Sequence, residues 1–353
     1  MRSPLAPSIG HKPTIRHRLL ELARKYMGRD MGWSEWAATP LSGWEDASWV
    51  EYAHTPMLPH MGIARILIDT HRKCAAQGKL FLFCLNDQIP PREIGESRYL
   101  PYYNDDGSVA KPPRFGPSKS FAHMGMGWLP PPSDETLESF RDRWLKLDGV
   151  VSDRIMGICG LMQKAARECL SYSAWLARIV FDILDMKAVV VPTSKLGTVF
   201  PEEFNRLMAY GDRFGWSHCP GCGYRLGRWK AQETECFKCG SAISDGGIYI
   251  PDVVGRQILF NLLDLALRVS GREKPYQQAA DRASVEVFGV EPPQRVRYRG
   301  ATRFEDAAKG NSWPRMNLFQ VMTKMPHNYF ADRDLWIPGE ETDWCLSVGE
   351  RSR

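Results

Sequence analysis

The chain has 353 residues, of which 43% are hydrophobic, and a formal net charge of +5 at pH 7. This length and composition suffice for two domains, or one large domain with an insertion, around a sizeable core, and they exclude a globally disordered protein. The mild positive charge permits a polyanionic partner without requiring one.

Targeting signals are absent from the sequence pattern. No run of about 18 apolar residues is present, so we expect no membrane span and no membrane partner. Residues 1–18 are basic but lack the apolar segment of a signal peptide. Four of the nine cysteines form Cys-x-x-Cys steps, which favour a metal in a reducing compartment over disulfides. We therefore expect a soluble, cytoplasmic protein.

The N-terminal third begins with an arm and an amphipathic helix near residues 15–26, followed by a Trp-rich packed loop over residues 33–49. An apolar strand from residue 49, a helix over residues 63–74 and a buried strand over residues 79–85 come next. This β–α–β order predicts an α/β fold with a parallel sheet and right-handed crossovers.

The turn that contains His60 and Gly62 joins the first of these strands to its helix. Free N–H groups at a helix start bind phosphate, and a histidine there can add a hydrogen bond. The pattern alone also fits an ordinary turn with a surface histidine. Asp87, which follows the second strand, is expected at the same carboxyl edge of the sheet, where ligands of such sheets bind.

The remaining elements are less regular. Residues 90–132 are rich in proline and glycine, which indicates a functional or disordered loop. Ser133 opens a helix, residues 153–185 predict two helices, and residues 187–191 predict a strand. Residues 253–269 and 281–288 predict two further helices.

The strongest local signal is a pair of cysteine motifs, Cys219-Pro-Gly-Cys222 and Cys236-Phe-Lys-Cys239, separated by thirteen residues. A glycine follows each motif and permits the tight turn that brings sulfur and amide N–H together. Four thiolates at this spacing predict a closed, structural Zn²⁺ site. The module either folds only itself or also contacts nucleic acid through basic residues between the motifs.

Several motifs also resemble one family, in the family's own order. They are Leu58-Pro-His-Met-Gly62, Pro113-Arg-Phe-Gly-Pro-Ser-Lys-Ser-Phe-Ala-His123, Cys219-Pro-Gly-Cys-Gly223, Phe288-Gly-Val-Glu-Pro-Pro293 and Lys309-Gly-Asn311. Together they resemble class I lysyl-tRNA synthetase, the archaeal-type enzyme. The resemblance implies a Rossmann-like class I aminoacyl-tRNA synthetase catalytic domain with a parallel sheet and a zinc-ribbon-like insertion.

The same resemblance divides the chain into four parts. Residues 1–45 form an N-terminal arm and helix, and residues 46–214 form the first, nucleotide-binding half with a helical insertion. Residues 215–245 form the zinc-knuckle insertion. Residues 246–353 form the second half of the catalytic domain, with a signature-like loop near residues 303–312 and a short tail.

The resemblance also implies a chemistry, in which ATP with Mg²⁺ activates an amino acid as an aminoacyl-adenylate. His60 and Lys309 would be catalytic. The ATP-binding residues would be His60, Gly62, Gly271, Glu273 and Lys309. The substrate-binding residues would be Asp87, for the substrate's ammonium group, together with Ser120 and His123.

Two departures from the family shape the functional hypothesis. Phe304-Glu305-Asp306 stands where the family has Lys-Met-Ser, and only 42 residues follow Asn311, so we expect the anticodon-binding domain to be lacking. We therefore favour an ATP-dependent ligase that transfers the aminoacyl group to a non-translational acceptor, such as a small amine, an amino acid or a carrier protein. The alternatives are aminoacylation of tRNA through its acceptor end, and a catalytically inactive RNA- or nucleotide-binding paralogue.

Overall fold

The computed structural model describes most of the chain between residues 14 and 320. The described residues are 14–38, 40–59, 61–92, 100, 102–103, 109–110, 114–117, 121–147, 149–186, 188–228, 234–243, 247–265, 267, 269–270, 275–295, 297–298 and 318–320.

Four of the described α-helices begin after residues whose side chains cap free backbone N–H groups. Ser133 and Asp252, for example, accept hydrogen bonds from Thr136 N and Gly255 N. In chain order the helices are α1 (Ile15–Lys25), α2 (Ser34–Ala37), α3 (Ser42–Glu45), α4 (Met61–Ala76), α5 (Asp134–Trp144), α6 (Ser152–Glu168), α7 (Tyr172–Leu184), α8 (Leu196–Val199), α9 (Pro201–Met208), α10 (Val253–Leu262) and α11 (Pro275–Phe288).

Within the described part of the chain, the strands form four small sheets. They are β1 (Trp49–His54), β2 (Leu80–Leu85), β3 (Tyr102–Tyr103), β4 (Val109–Ala110), β5 (Val189–Pro192), β6 (Gly215–His218), β7 (Arg225–Arg228), β8 (Ile248–Pro251), β9 (Val269–Ser270) and β10 (Arg297–Tyr298). The sheet in the main core has the order β1-β2-β5, and both pairings are parallel. The predicted α/β fold with a parallel sheet is therefore confirmed.

The position of β2 at the centre of that sheet explains why its residues are apolar. Residues 81–85 of β2 are at most 5% exposed, because β1 and β5 flank the strand and helices cover the sheet. Phe83 contacts Phe181 of α7 edge-on, with 5.2 Å between ring centroids. At the β5 edge of the sheet, the turn that follows α1 lies against β5 through Met27, whose sulfur is 3.2 Å from the backbone N of Val190.

Several boundaries differ from those predicted. The segment over residues 33–49, expected to be a loop, contains the short helices α2 and α3, which are too short for a helical period to show. The predicted helix over residues 253–269 ends at Leu262, and Asp264 then adopts a left-handed backbone with φ of 55°. The predicted helix over residues 281–288 begins six residues earlier, at Pro275.

The cysteine motifs lie beside an antiparallel sheet of order β7-β6-β8. This unit has a small core of its own, formed by Cys219, Cys236 and Ile243 with partly buried neighbours. The main core contains residues from 19 to 319, on both sides of the unit in sequence. The four predicted domain limits stay predictions. No helix in the described part of the chain has the length and apolarity of a membrane span.

Candidate functional site

A cavity of about 360 Å³ lies at the carboxyl ends of β1 and β2. We call it the edge cavity. The first turn of α4 and the helices α10 and α11 complete its wall. Its lining residues are Tyr52, Ala53, His54, Thr55, Ile63, Asn86, Ile89, Val253, Arg256, Gln257, Phe260, Leu267, Tyr276 and Gln277. This is the edge at which open parallel sheets bind ligands.

The strand ends fix the position of the polar groups at the edge cavity. Asn86 donates its backbone N–H to the carbonyl of His54 at 2.8 Å, which joins the two strand ends. The His54 ring lies parallel to Tyr52, and its Nδ1 donates to the carbonyl of Thr55 at 2.9 Å. The side-chain oxygen of Asn86 is buried with no hydrogen-bond partner among the described residues.

The opposite wall is held in place by a buried polar cluster between α10 and α11. Asn261 donates to Asp281 at 2.9 Å and to Ser284 at 2.8 Å. Arg295 donates to the Asn261 side-chain oxygen at 2.7 Å and forms an ion pair with Asp281 at 2.5 Å. Arg295 lies just after the Glu-Pro-Pro motif, so this motif segment is tied to the two helices that line the cavity. The sequence gives no local signal for the cluster, because its members come from three separate segments.

Arg256, Gln257 and Gln277 are the polar residues that this wall presents, and sequence reasoning did not find them. Arg256 is 4% exposed and donates to the carbonyl of Pro251 at 3.0 Å. Gln257 donates to Asn261 at 3.3 Å. Arg256 and Gln257 are adjacent polar residues in the otherwise apolar α10. Because polar groups in a buried helix need partners, this pair could have indicated a polar site from the sequence.

Asp87 lies at the same sheet edge, but its carboxylate is 0% exposed. It accepts hydrogen bonds from Ser194 N at 2.7 Å, Ser194 Oγ at 2.5 Å, Thr193 Oγ1 at 3.1 Å and Ser173 Oγ at 3.4 Å. Burial raises the pKa of Asp87, while the hydrogen bonds from Ser194 and Thr193 oppose the shift. The carboxylate thus ties the end of β2 to the end of β5. Its predicted contact with a substrate ammonium group stays a prediction.

Only some of the other residues predicted to bind ATP and substrate lie in the described part of the chain. Gly62 lies in the first turn of α4, directly before the cavity-lining Ile63. The predicted residues outside the described part of the chain are His60, Ser120, Gly271, Glu273 and Lys309. Leu318 donates its backbone N–H to the carbonyl of Pro59 at 2.8 Å, so a later segment reaches the turn before α4.

His123 is not among the described residues that line the edge cavity. Arg92 donates to its Nε2 at 3.0 Å, and its ring lies 5.6 Å from the ring of Tyr224. It therefore contacts the cysteine-containing unit. Its predicted substrate-binding role stays a prediction.

The four cysteines meet at one point. Their sulfur atoms all lie within 4.8 Å of one another, and the Cys219–Cys239 and Cys222–Cys236 separations are both 3.7 Å. Tetrahedral coordination with Zn–S bonds of about 2.3 Å places sulfur atoms about 3.8 Å apart. The four thiols could therefore bind one metal ion such as zinc.

The two motifs reach this geometry by the same turn. Gly223 and Gly240 adopt φ of 65° and 69°. Each donates its backbone N–H to the carbonyl oxygen of the first cysteine of its motif, Cys219 or Cys236, at 2.8 Å. These positive φ values favour glycine. Hydrogen bonds from Ser241 lower the pKa of Cys239 to about 6, whereas desolvation raises the pKa of Cys219 and of Cys222. Without a metal, Cys239 is therefore the member of this group that most readily forms a thiolate.

No family model matches this chain, and no curated protein matches its sequence.

The second cysteine motif also carries an exposed aromatic side chain. Phe237 is 76% exposed and meets Tyr224 edge-on, with 5.1 Å between centroids. The ammonium of Lys238 lies 4.8 Å from the Tyr224 ring. We call Tyr224, Phe237 and Lys238 the knuckle surface. Phe237 and Lys238 are the two central residues of the second Cys-x-x-Cys motif, and both are exposed. Their position between two metal-ligand candidates is the sequence signal that could have indicated this surface.

Proposed function

We propose that the chain is an ATP-dependent ligase that activates an amino acid as an aminoacyl-adenylate and transfers it to a non-translational acceptor. The observation that supports this most is the edge cavity, at the carboxyl ends of two parallel strands and beside the first turn of α4. A helix start at such an edge suits a phosphate, because its N–H groups are free.

In this proposal a carboxylate oxygen of the amino acid attacks the α-phosphorus of ATP, and the bond to pyrophosphate breaks. An amine of the acceptor then attacks the carbonyl carbon, loses a proton and releases AMP. Positioning and electrostatic stabilisation supply most of the catalysis of such a step. The Gly62 turn and His60 would hold phosphate oxygens, Lys309 would meet charge on pyrophosphate, and Mg²⁺ would accompany ATP.

The finer fold assignment belongs to the same proposal. We infer a Rossmann-like class I synthetase catalytic domain, supported by the order β1–α4–β2 and by the motif at residues 58–62. Gly271 and Glu273 would approach the ATP ribose. Zn²⁺ would occupy the four-cysteine site with a structural role, since all four positions are protein ligands and leave none for a substrate.

The test is ATP–pyrophosphate exchange with the full chain and each amino acid in turn. We expect exchange with one amino acid or a small group, and a loss of at least about 100-fold in His60→Ala, because a group that stabilises transition-state charge is removed. Thr55→Trp fills the edge cavity and should also abolish exchange. The matched control is Val285→Trp, on the exposed side of α11. Absence of exchange with every amino acid would overturn the proposal.

The acceptor is identified in a second experiment with the amino acid found in the first. The loaded enzyme is offered small amines, free amino acids, a carrier protein and total tRNA, and the labelled product is identified by mass spectrometry. Transfer to an amine, amino acid or carrier supports the proposal. Transfer to tRNA alone would replace it with acceptor-end aminoacylation.

One observation favours a second function, RNA binding without catalysis. The knuckle surface offers an exposed aromatic ring beside a cation, a combination that stacks and neutralises single-stranded nucleic acid. Fluorescence anisotropy with a labelled single-stranded RNA would show salt-sensitive binding that falls about tenfold or more in Phe237→Ala. The matched control is Leu161→Ala, another exposed apolar residue. Equal affinity in both variants would exclude the knuckle surface.

A further inference from the structure

A second cavity, of about 890 Å³, lies between α1, the π-helical turn Tyr26–Asp30 and the segment that follows β5. We call it the α1 cavity. Its lining residues are Arg18, Glu21, Leu22, Lys25, Tyr26, Gly28, Arg29, Asp30, Lys195, Thr198 and Val199. Its volume suits a small organic molecule. π-Helical turns are rare and occur often at functional sites.

The α1 cavity has an apolar floor. Leu22 and Tyr26 are 9% and 2% exposed, and Val199 of α8 adds a third apolar side chain. The four residues that α1 contributes recur at helical spacing, so one face of the helix forms the wall. An apolar body of a ligand would bury surface against this floor.

The charges at the cavity do not cancel. Lys25 pairs with Glu21 at 2.8 Å, and Arg29 pairs with Asp30 at 3.1 Å. The other two cations of the lining are Arg18 and Lys195, and neither has a carboxylate partner among the described residues. The Arg18 guanidinium lies 4.4 Å from the centre of the Phe200 ring. Two half-buried cations beside an apolar floor complement an anion that has an apolar body.

The cavity also has a defined place relative to the edge cavity. Lys195 follows Ser194, which donates to Asp87, and Asp87 follows the edge-cavity residue Asn86. Lys195 and Asn86 therefore flank, along the chain, the two residues whose hydrogen bond joins the ends of β5 and β2.

We propose that the α1 cavity binds an organic anion with an aromatic or acyl body and one terminal phosphate or carboxylate, held by Arg18 and Lys195. This site is separate from the edge cavity and does not depend on the proposed ligase function. Charge-assisted hydrogen bonds from the two cations would bind the anionic group, and Leu22, Tyr26 and Val199 would contact the body.

The experiment is isothermal titration calorimetry of the full chain, without nucleotide, against 1-naphthyl phosphate, 1-naphthoate, neutral 1-naphthol and inorganic phosphate. We expect 1-naphthyl phosphate or 1-naphthoate to bind at least about tenfold more tightly than 1-naphthol, because the neutral probe cannot form charge-assisted hydrogen bonds with the two cations. Comparison of the two anionic probes decides between phosphate and carboxylate. Inorganic phosphate alone should bind more weakly, since it lacks the apolar body.

The variants Arg18→Gln and Lys195→Gln should each weaken anion binding by about tenfold and leave naphthol binding unchanged. Lys146→Gln, which removes an exposed lysine outside the cavity, is the matched control. Thr198→Trp fills the cavity and should abolish binding of every naphthyl probe. Thermal unfolding of each variant verifies that it is folded. Equal affinity for naphthol and the anions, affinity unchanged in both charge variants, or no binding of either anion at millimolar concentration would overturn the proposal.

Discussion

The carboxylate of Asp87, two residues after the end of β2, accepts a hydrogen bond at 2.7 Å from the backbone N–H of Ser194, two residues after the end of β5. One buried acceptor thus joins equivalent positions of neighbouring parallel strands. Gly127 lies so close that a Cβ there would contact both Asp87 and Ser194.

Replacement of Asp87 by alanine should lower the free energy of unfolding by about 3 kcal/mol, because several buried donors lose their acceptor. Asp87→Asn should cost less, since the amide keeps one acceptor oxygen. Urea denaturation followed by tryptophan fluorescence measures both. Glu138→Ala, on the exposed surface of α5, is the control and should change stability by less than about 0.5 kcal/mol. An equally small effect of Asp87→Ala would contradict the structural role.

Glu51 should make the protein less stable as the pH rises. Burial, and secondly the charge of Asp264, raise the pKa of Glu51 from 4.5 to about 7, and its Oε2 is buried without a described hydrogen-bond partner. The folded state therefore binds more protons than the unfolded state between pH 4.5 and about 7, so the free energy of unfolding decreases across this window, by about 3 kcal/mol at most.

Urea denaturation at closely spaced pH values measures this effect. Glu51→Gln removes the titrating group and should flatten that part of the profile. An unchanged slope in the variant would show that another group is responsible.

The four-cysteine site should contain one zinc ion per chain, measured by mass spectrometry of the purified protein. Cys222→Ser should lose the metal and expose the unit around β6 to hydrogen exchange, because the small core there depends on the ligands. Cys159→Ser alters a buried cysteine elsewhere in the main core and should retain the ion. Retention of zinc by Cys222→Ser and by the corresponding Cys236→Ser would refute the assignment.

Arg295→Gln should destabilise the pairing of α10 with α11. Removal of the guanidinium takes away the described donor of Asp281 Oδ2 and leaves Gln257 as the donor to Asn261 Oδ1, which costs about 2 kcal/mol. Amide hydrogen exchange in this variant should become faster in α10 and α11 than in the wild type, while exchange in the rest of the fold changes less. Arg282→Gln removes a neighbouring charge on α11 and serves as the comparison. Equal protection in the two variants would exclude the cluster as the link between the helices.

The elements that could be predicted from the sequence are those set by local patterns. The apolar run of β2 and the helical period of α4 lie close together in the chain, and the cysteine spacing alone places four sulfur atoms together. The partners of Asp87 could not be predicted, because Ser194 is 107 residues away in sequence. Gln277 reaches the edge cavity only through the packing of α11, for which no local pattern exists.

The order β1-β2-β5 has a consequence for how the chain reaches its native state. The first two strands are joined by a single helix, whereas more than a hundred residues separate β2 from β5, and they include α5, α6 and α7. Contacts between distant segments form slowly, because a long loop must close before they gain stability. We expect β1, α4 and β2 to assemble early in refolding, the α1 cavity to form only when β5 docks, and the edge cavity to form only when α10 and α11 join the sheet.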